Sequence, residues 1–327
     1  SPASRALRAI YLPGEGAIPS ARLLRAVDAA LDTRASVERV DAEAVSLMRG
    51  KSAHHIALSN GQILSCGRVL LANGAAAQPL IDQVPELESF VPRLFYGVGC
   101  GLVLRPPSNL TAVVRTNNRG LACGLHAVPD VESGTCYVGA SNFICERPES
   151  HGRAVSVATL LNAAMEQINV TWYKAALEEV RVGHRPTSAD LFPLIGPTSV
   201  DGLFILSGTK RDGLYMSPVY ARAMSQSLLT GARCFDGVFA PERALITTMT
   251  REEGIARAVA HLWSGGYQHD LRLPHAGWEG RIDNMLRAHV IDAYERAGNP
   301  DYGIPPELLD MYRYQHITPG RRLRQAS

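Results

Sequence analysis

Two neighbouring stretches decide how this chain is interpreted: HRPTSADLFPLIG at residues 184–196 and GLFILSGTKRDGLYMSP at residues 202–218. In the second stretch, apolar residues predict a short strand, a loop with Gly208 and Gly213 follows, and a helix is expected after the loop. Such a loop brings backbone N–H groups and the positive end of a helix dipole together, which suits an electron-rich ligand. An ordinary strand-to-helix turn has the same pattern, so the loop alone leaves both interpretations open.

The composition is that of a globular protein. Hydrophobic residues make up 46% of the 327 residues, charged residues make up 20%, and the formal net charge is +2. This charge gives no strong field to attract nucleic acid or a membrane surface. We find no apolar run of bilayer length and no signal-peptide pattern. The six cysteines show no metal-ligand spacing and are interpreted as small buried hydrophobic residues. We expect a soluble cytoplasmic protein without a metal, a nucleic-acid partner or a membrane partner.

Taken together, the two stretches resemble a motif pair of the D-amino-acid oxidase, glycine oxidase and sarcosine oxidase family of FAD-dependent oxidoreductases. The shared features are an Arg-Pro dipeptide, then Pro-x-Ile-Gly, then Gly-x-x-Arg-Asp-Gly and Ser-Pro. Residues 125–141 are similar to the family's Tyr-x-x-Pro and Val-Gly-Ala-Thr segments, and residues 16–24 and 67–75 are similar to two further family segments. The resemblance runs from about Tyr11 to Thr230.

The resemblance implies roles for individual residues. Arg185 stands where the family binds the substrate carboxylate, a task that suits a planar guanidinium. Arg211 would add positive charge near the flavin or the substrate, and Tyr215 and His126 would shape the pocket. His126 replaces a family tyrosine, which leaves the substrate open, and a structural role for it is the alternative. The residues implied to lie beside FAD are Val45, Ala72, Asn73, Gly74, Pro186, Gly208, Lys210, Arg211, Asp212, Gly213, Leu214 and Tyr215.

The implied fold is α/β with mixed α+β character. Residues 1–90 and 181–245 would form an incomplete, Rossmann-like FAD-binding domain, interleaved with an antiparallel substrate domain of residues 91–180. Residues 246–327 lie outside the resemblance and are expected to form a helical C-terminal extension. Its aromatic residues predict burial, either against the rest of the chain or against a partner subunit.

One family element is absent from the 327 residues. They contain no Gly-x-Gly-x-x-Gly fingerprint, whose helix N-terminus would hold the FAD pyrophosphate, and no acidic residue placed beyond it for the ribose. The glycines of residues 97–101 lack the required spacing and are interpreted as a strand or loop feature. We therefore expect a hetero-oligomer in which a second chain, from a split gene or a nicked precursor, supplies this N-terminal segment; a truncated chain is the other possibility.

The activity that the resemblance implies is oxidation of a small amine or amino acid. Hydride would pass to flavin N5, the C–N bond would become an imine, and O₂ is the expected acceptor, although a dehydrogenase stays open. The alternative is a flavin-free, oxidase-like scaffold or substrate-binding subunit. The presence of both the Arg-Pro and the Gly-x-x-Arg-Asp-Gly segments favours the enzyme.

Overall fold

The computed structural model describes residues 8–50, 53–117, 124–268 and 271–317. The strands are β1 (Ala44–Arg49), β2 (His54–Leu58), β3 (Ile63–Cys66), β4 (Val69–Leu71), β5 (Leu94–Arg105), β6 (Val114–Arg115), β7 (His126–Asp130), β8 (Thr135–Gly139), β9 (Phe143–Cys145), β10 (Ala176–Ser188), β11 (Leu194–Pro197) and β12 (Leu203–Ser207). The α-helices are α1 (Ser20–Asp32), α2 (Gln78–Ile81), α3 (Pro85–Glu88), α4 (Ala154–Ala163), α5 (Ser217–Thr230), α6 (Arg251–Gln268), α7 (Glu279–Arg296) and α8 (Leu309–Arg313). None of the described helices combines the length and the hydropathy needed to cross a bilayer.

The strands form three sheets. β1, β2 and β3 form an antiparallel meander, and the predicted hairpin turn has Gly61 at φ +85°. A six-stranded antiparallel sheet has the order β10-β5-β8-β7-β6, and β9 also pairs with β5. The third sheet has the order β11-β12-β4, in which β12 runs parallel to β4. Antiparallel sheets, one parallel pair and C-terminal helices confirm the predicted mixed α/β fold.

The region between α4 and β10 is less helical than its sequence pattern predicts. Residues 154–177 carry a helical pattern, but α4 ends at Ala163, irregular helical turns follow to Lys174, and β10 begins at Ala176. β10 pairs with β5 along its whole length, from Ala176 opposite Arg105 to Ser188 opposite Leu94. The expected boundary between residues 180 and 181 lies inside this strand, and the domain boundaries stay predictions.

Four hydrophobic cores among the described residues hold these elements together, the smallest of them between α5 and strands β11 and β12. One lies between the six-stranded sheet and α4, and a second lies around β4 and β12. The third is built by the C-terminal helices, whose Tyr294 and Tyr312 are fully buried together with Phe95 of β5 and Ala189. Tyr294 and Tyr312 are therefore buried within the same chain, as in the first of the two alternatives given above, whereas Tyr267 and Tyr314 are 57% and 61% exposed.

Candidate active site

A cavity of about 1520 Å³ is bounded by the six-stranded sheet, α4 and the C-terminal helices. Its wall contains Arg185, His126 and Tyr137 from the sheet, and His261 and Glu307 from the C-terminal part. Arg211 of the loop after β12 lies on it as well. A cavity of this size holds more than a single small molecule. Arg185, His126 and Arg211, three of the four residues expected to act on the substrate side, thus lie in the wall of the same cavity.

Arg185 lies in β10 and points its guanidinium towards the end of β8. Its Nη1 donates hydrogen bonds to Ser141 O at 3.2 Å and to Asn142 Oδ1 at 3.1 Å. Burial lowers the pKa of Arg185, while Tyr137 and Glu307 act in the opposite direction; a guanidinium nevertheless stays protonated. Within the described part of the chain, no carboxylate lies at ion-pair distance from it. A buried cation without a carboxylate partner is costly unless an anion binds to it.

Glycines of β5 make room for the cavity's side chains. A Cβ built on Gly99 would lie 2.3 Å from Arg185 Nη1, and one built on Gly101 would lie 2.3 Å from Tyr137 Oη. Both glycines belong to the 97–101 stretch, whose period of two places them on one face of β5. The stretch lies within a strand, and its glycines allow Arg185 and Tyr137 to lie flat against the sheet.

Replacing Gly99 by alanine is expected to displace the Arg185 guanidinium, because the new methyl group would overlap its atoms. The guanidinium is the far end of a flexible side chain, so the fold should persist while carboxylate binding weakens by about tenfold. Titration with acetate measures this, and the melting temperature checks folding. Gly183→Ala is the matched control, since Gly183 pairs with Gly99 on the adjacent strand and has open space around its Cα. Equal affinities in Gly99→Ala and the wild type would contradict the prediction.

His126 in β7 and Tyr137 in β8 line the cavity as uncharged groups. Burial lowers the pKa of His126 below its usual value, and Arg115 and Arg185 lower it further. The imidazole is therefore neutral at pH 7. Burial raises the pKa of Tyr137, so its phenol also stays neutral. Arg185 is a charged group that acts electrostatically on both of them.

The loops expected beside the flavin meet where β4, β10 and β12 end. Ser207 Oγ donates a hydrogen bond to Gly74 O at 2.9 Å, and the backbone N–H of Lys210 donates to Pro186 O at 2.9 Å. Gly74 and Gly208 have φ values of +65° and +69°, a region that favours glycine. The carboxyl ends of parallel strands are where ligands bind in α/β sheets.

The remaining residues expected beside the cofactor are more exposed. Val45, Ala72, Asn73, Asp212 and Leu214 are exposed, and Gly213 is half-buried. Tyr215 has 86% of its surface exposed and is not among the described residues that line the cavity. Its expected pocket role has no support from this geometry and, like the other cofactor contacts, stays a prediction.

The residues present fit one part of FAD. α5 begins at Ser217 with Pro218 in its first turn and no acidic residue there, so the positive end of its dipole lies beside the loop after β12. The first N–H groups of the helix already donate to backbone carbonyl oxygens of the same loop and turn. Of the glycines in the turns after β4 and β12, Gly74 is half-buried and Gly208 is buried. The position of the α5 dipole fits the isoalloxazine ring, whereas the fingerprint that holds the ADP moiety is not in the 327 residues.

A family model described as DAO, FAD dependent oxidoreductase, matches residues 1–227. The chain belongs to this family. That result confirms the predicted family and its FAD dependence. Residues 228–327 lie beyond the match, so the helices α6 to α8, which form part of the cavity wall, are outside it.

Solved structures show the same fold. The chain is similar to glycine oxidase from Geobacillus kaustophilus, with 22% identity and a TM-score of 0.54 over 63% of this chain and 53% of that chain. It is also similar to iminodiacetate oxidase from Chelativorans sp. BNC1, with 21% identity and a TM-score of 0.54 over 67% and 58% of the two chains. The chain thus spans between half and three fifths of these proteins. No curated protein matches its sequence.

Proposed function

We propose that this chain forms the substrate side of a flavin-dependent enzyme that oxidises an amine or amino acid carrying a carboxylate. The observation that supports this most strongly is Arg185, a half-buried cation with no carboxylate at ion-pair distance among the described residues, in the wall of a cavity of about 1520 Å³. FAD, when bound, supplies the electron acceptor for the oxidation. In this proposal O₂ then reoxidises the flavin.

In the proposed reaction, the chain's own residues bind and orient the substrate. Arg185 would hold the carboxylate with two parallel N–H groups, which fixes the direction of the α-carbon. Neutral His126 and Tyr137 would flank the substrate without adding charge. The C-terminal helices would cover the cavity and keep water away from it.

We further propose that a second polypeptide supplies the Gly-x-Gly-x-x-Gly segment. Two surfaces support this. α1 has no buried residue, and its apolar face, Leu24, Val27 and Leu31, is exposed. β4 is paired, among the described strands, with β12 alone, so its other edge is open although Val69 and Leu71 are buried. A buried apolar strand with a free edge is suited to accept a further parallel strand.

The test is to purify the tagged chain from its natural host, identify every copurifying polypeptide by mass spectrometry and record the absorption spectrum. The expected result is a yellow assembly that contains a polypeptide with the fingerprint. Val27→Glu on the apolar face of α1 should reduce copurification severalfold, because it buries an unpaired charge. Ala29→Glu adds the same charge on the opposite face and is the control. A colourless, well-folded homomer would contradict the proposal, and one that still bound carboxylates would favour a flavin-free subunit.

A further inference from the structure

The C-terminal part of the chain reaches into the proposed carboxylate site through one side chain. Glu307 belongs to a single helical turn, Pro306–Leu308, which lies outside the family match. Its carboxylate contacts Asn142 of the cavity wall and Lys210 of the loop after β12. Oε1 forms an ion pair with Lys210 Nζ at 2.5 Å, and Oε2 accepts a hydrogen bond from Asn142 Nδ2 at 3.2 Å.

These contacts connect Glu307 to Arg185 by two routes. Asn142 Oδ1 accepts a hydrogen bond from Arg185 Nη1 at 3.1 Å, so Asn142 stands between the two charges. On the other side, the Lys210 backbone N–H donates to the carbonyl oxygen of Pro186, the residue after Arg185. Among the described residues of the C-terminal part, Glu307 is therefore the one whose carboxylate contacts both Asn142, which binds Arg185, and Lys210 of the loop after β12.

The chemistry of these groups fixes the orientation of Asn142. A carboxylate only accepts hydrogen bonds and a guanidinium only donates them. Glu307 must therefore face the amide nitrogen of Asn142, which turns the amide oxygen towards Arg185. Without Glu307, the amide loses the contact that selects this orientation, and the guanidinium loses a fixed acceptor.

Burial makes the contacts with Glu307 persistent. The side chains of Lys210 and Glu307 are only 18% and 24% exposed, so their attraction is screened less than that of a surface pair. The pair also neutralises Lys210. Arg185, in contrast, keeps its charge uncompensated by a carboxylate among the described residues, which leaves it as the group that takes up an anion.

We propose that Glu307 is a positioning residue for carboxylate binding, acting on Arg185 through Asn142 while it neutralises Lys210. The proposal rests on the proposed function, because it takes Arg185 as the carboxylate site. It makes the C-terminal extension part of the substrate site and not only a packing element. The substrate class that this arrangement favours carries a carboxylate at Arg185.

The test measures acetate affinity by calorimetry on the purified assembly. The parent chain, Glu307→Ala, Asn142→Ala and the double variant are all compared in a Lys210→Met background, so that removal of Glu307 does not leave an unpaired ammonium that itself attracts acetate. Glu307→Ala is expected to weaken acetate binding by about tenfold, the loss for one hydrogen bond to a charged group. Because Glu307 acts through Asn142, the double variant should bind acetate no more weakly than Asn142→Ala alone. Additive losses, or an unchanged affinity in Glu307→Ala, would overturn the proposal. Glu307→Leu, which keeps most of the side-chain volume but accepts no hydrogen bond, replaces Glu307→Ala if that variant does not fold.

Glu146→Gln is the matched control. Glu146 lies near Arg93 at 3.7 Å and near His316 of the C-terminal part at 3.5 Å, and it does not line the cavity. It should leave acetate affinity within about twofold of the wild type. A wild-type assembly without flavin that still shows the Glu307 effect would defeat the proposed function alone. A flavin-containing assembly whose acetate affinity is unchanged in Glu307→Ala would defeat the proposal about Glu307 alone. A wild-type assembly that binds no acetate would also overturn the proposal about Glu307.

Discussion

Replacing Arg185 by alanine is expected to lower kcat/KM by roughly a thousandfold for any amino-acid substrate that the assembly oxidises. This corresponds to about 4 kcal/mol, within the range for removing one partner of a buried, hydrogen-bonded charge pair. The Arg185 side chain is half-buried, and its protein hydrogen bonds go to Ser141 O and Asn142 Oδ1, both neutral. A substrate carboxylate would therefore be its single ionic partner among the described groups, and its loss cannot be replaced by a neighbour. The measurement is steady-state kinetics together with acetate titration.

Two further variants distinguish specific recognition of the substrate carboxylate by Arg185 from a general effect of positive charge. Arg185→Lys should recover little of the lost activity, because an ammonium lacks the planar fork that engages a carboxylate with two bonds. Arg181→Ala is the matched control: Arg181 lies on the same strand, is exposed and pairs with Glu179 at 2.8 Å. Its removal should change kcat/KM by less than twofold or so. Near wild-type kinetics in Arg185→Ala, or an equal loss in Arg181→Ala, would show that Arg185 does not bind the substrate.

Local elements of the fold were accessible from the sequence. Helix α1, the hairpin at Asn60 and Gly61, and strand β12 with its glycine loop follow from short-range patterns. β10 was not predicted, because its first nine residues are mostly exposed on both faces and do not alternate. Its existence depends on pairing with β5, about 80 residues earlier in the chain. Such a long-range partner leaves no mark in the periodicity of the strand itself.

Only part of the candidate site, likewise, could be predicted from the sequence. The motif resemblance pointed to Arg185, Arg211 and His126, which the structure brings to the cavity. It missed Asn142 and Glu307, because Glu307 comes from a segment outside the motif and is 165 residues from Asn142 in sequence. The glycines of residues 97–101 were a usable signal: three glycines at a period of two indicate a strand face that must accommodate large neighbours.

Replacing Asp190 by alanine is expected to lower the free energy of unfolding by about 3–5 kcal/mol, the range for breaking a buried ion pair. The side chains of Asp190 and Arg243 are only 1% and 8% exposed, and Arg243 Nη2 lies 2.9 Å from Asp190 Oδ2. Asp190 also accepts hydrogen bonds from Ser188 Oγ and from the backbone N–H groups of Phe192 and Ile246. Alanine would leave these donors and a buried cation without their acceptor.

The location of Asp190 explains why this loss should reach the whole fold. Asp190 lies at the end of β10, where Leu191 takes a φ of +69° to turn the chain towards β11. Arg243 also donates to the carbonyl oxygens of Pro193 and Ala240, so the pair ties the sheet to the segment that leads into the C-terminal helices. Burial lowers the pKa of Arg243 and Asp190 raises it, so removing Asp190 leaves the burial penalty unopposed.

Urea unfolding of Asp190→Ala, of Arg243→Met and of the double variant measures the effect. The double variant should be more stable than Asp190→Ala, because replacing both partners removes the unpaired charge. Glu86→Ala is the exposed control: Glu86 pairs with Arg49 at 3.0 Å on the surface, and its removal should leave the free energy of unfolding close to that of the wild type. A loss in Asp190→Ala no larger than in Glu86→Ala would contradict the prediction. Acetate affinity in the folded fraction of Asp190→Ala should stay close to wild type, since Asp190 supports the strand that carries Arg185 but makes no hydrogen bond to the guanidinium.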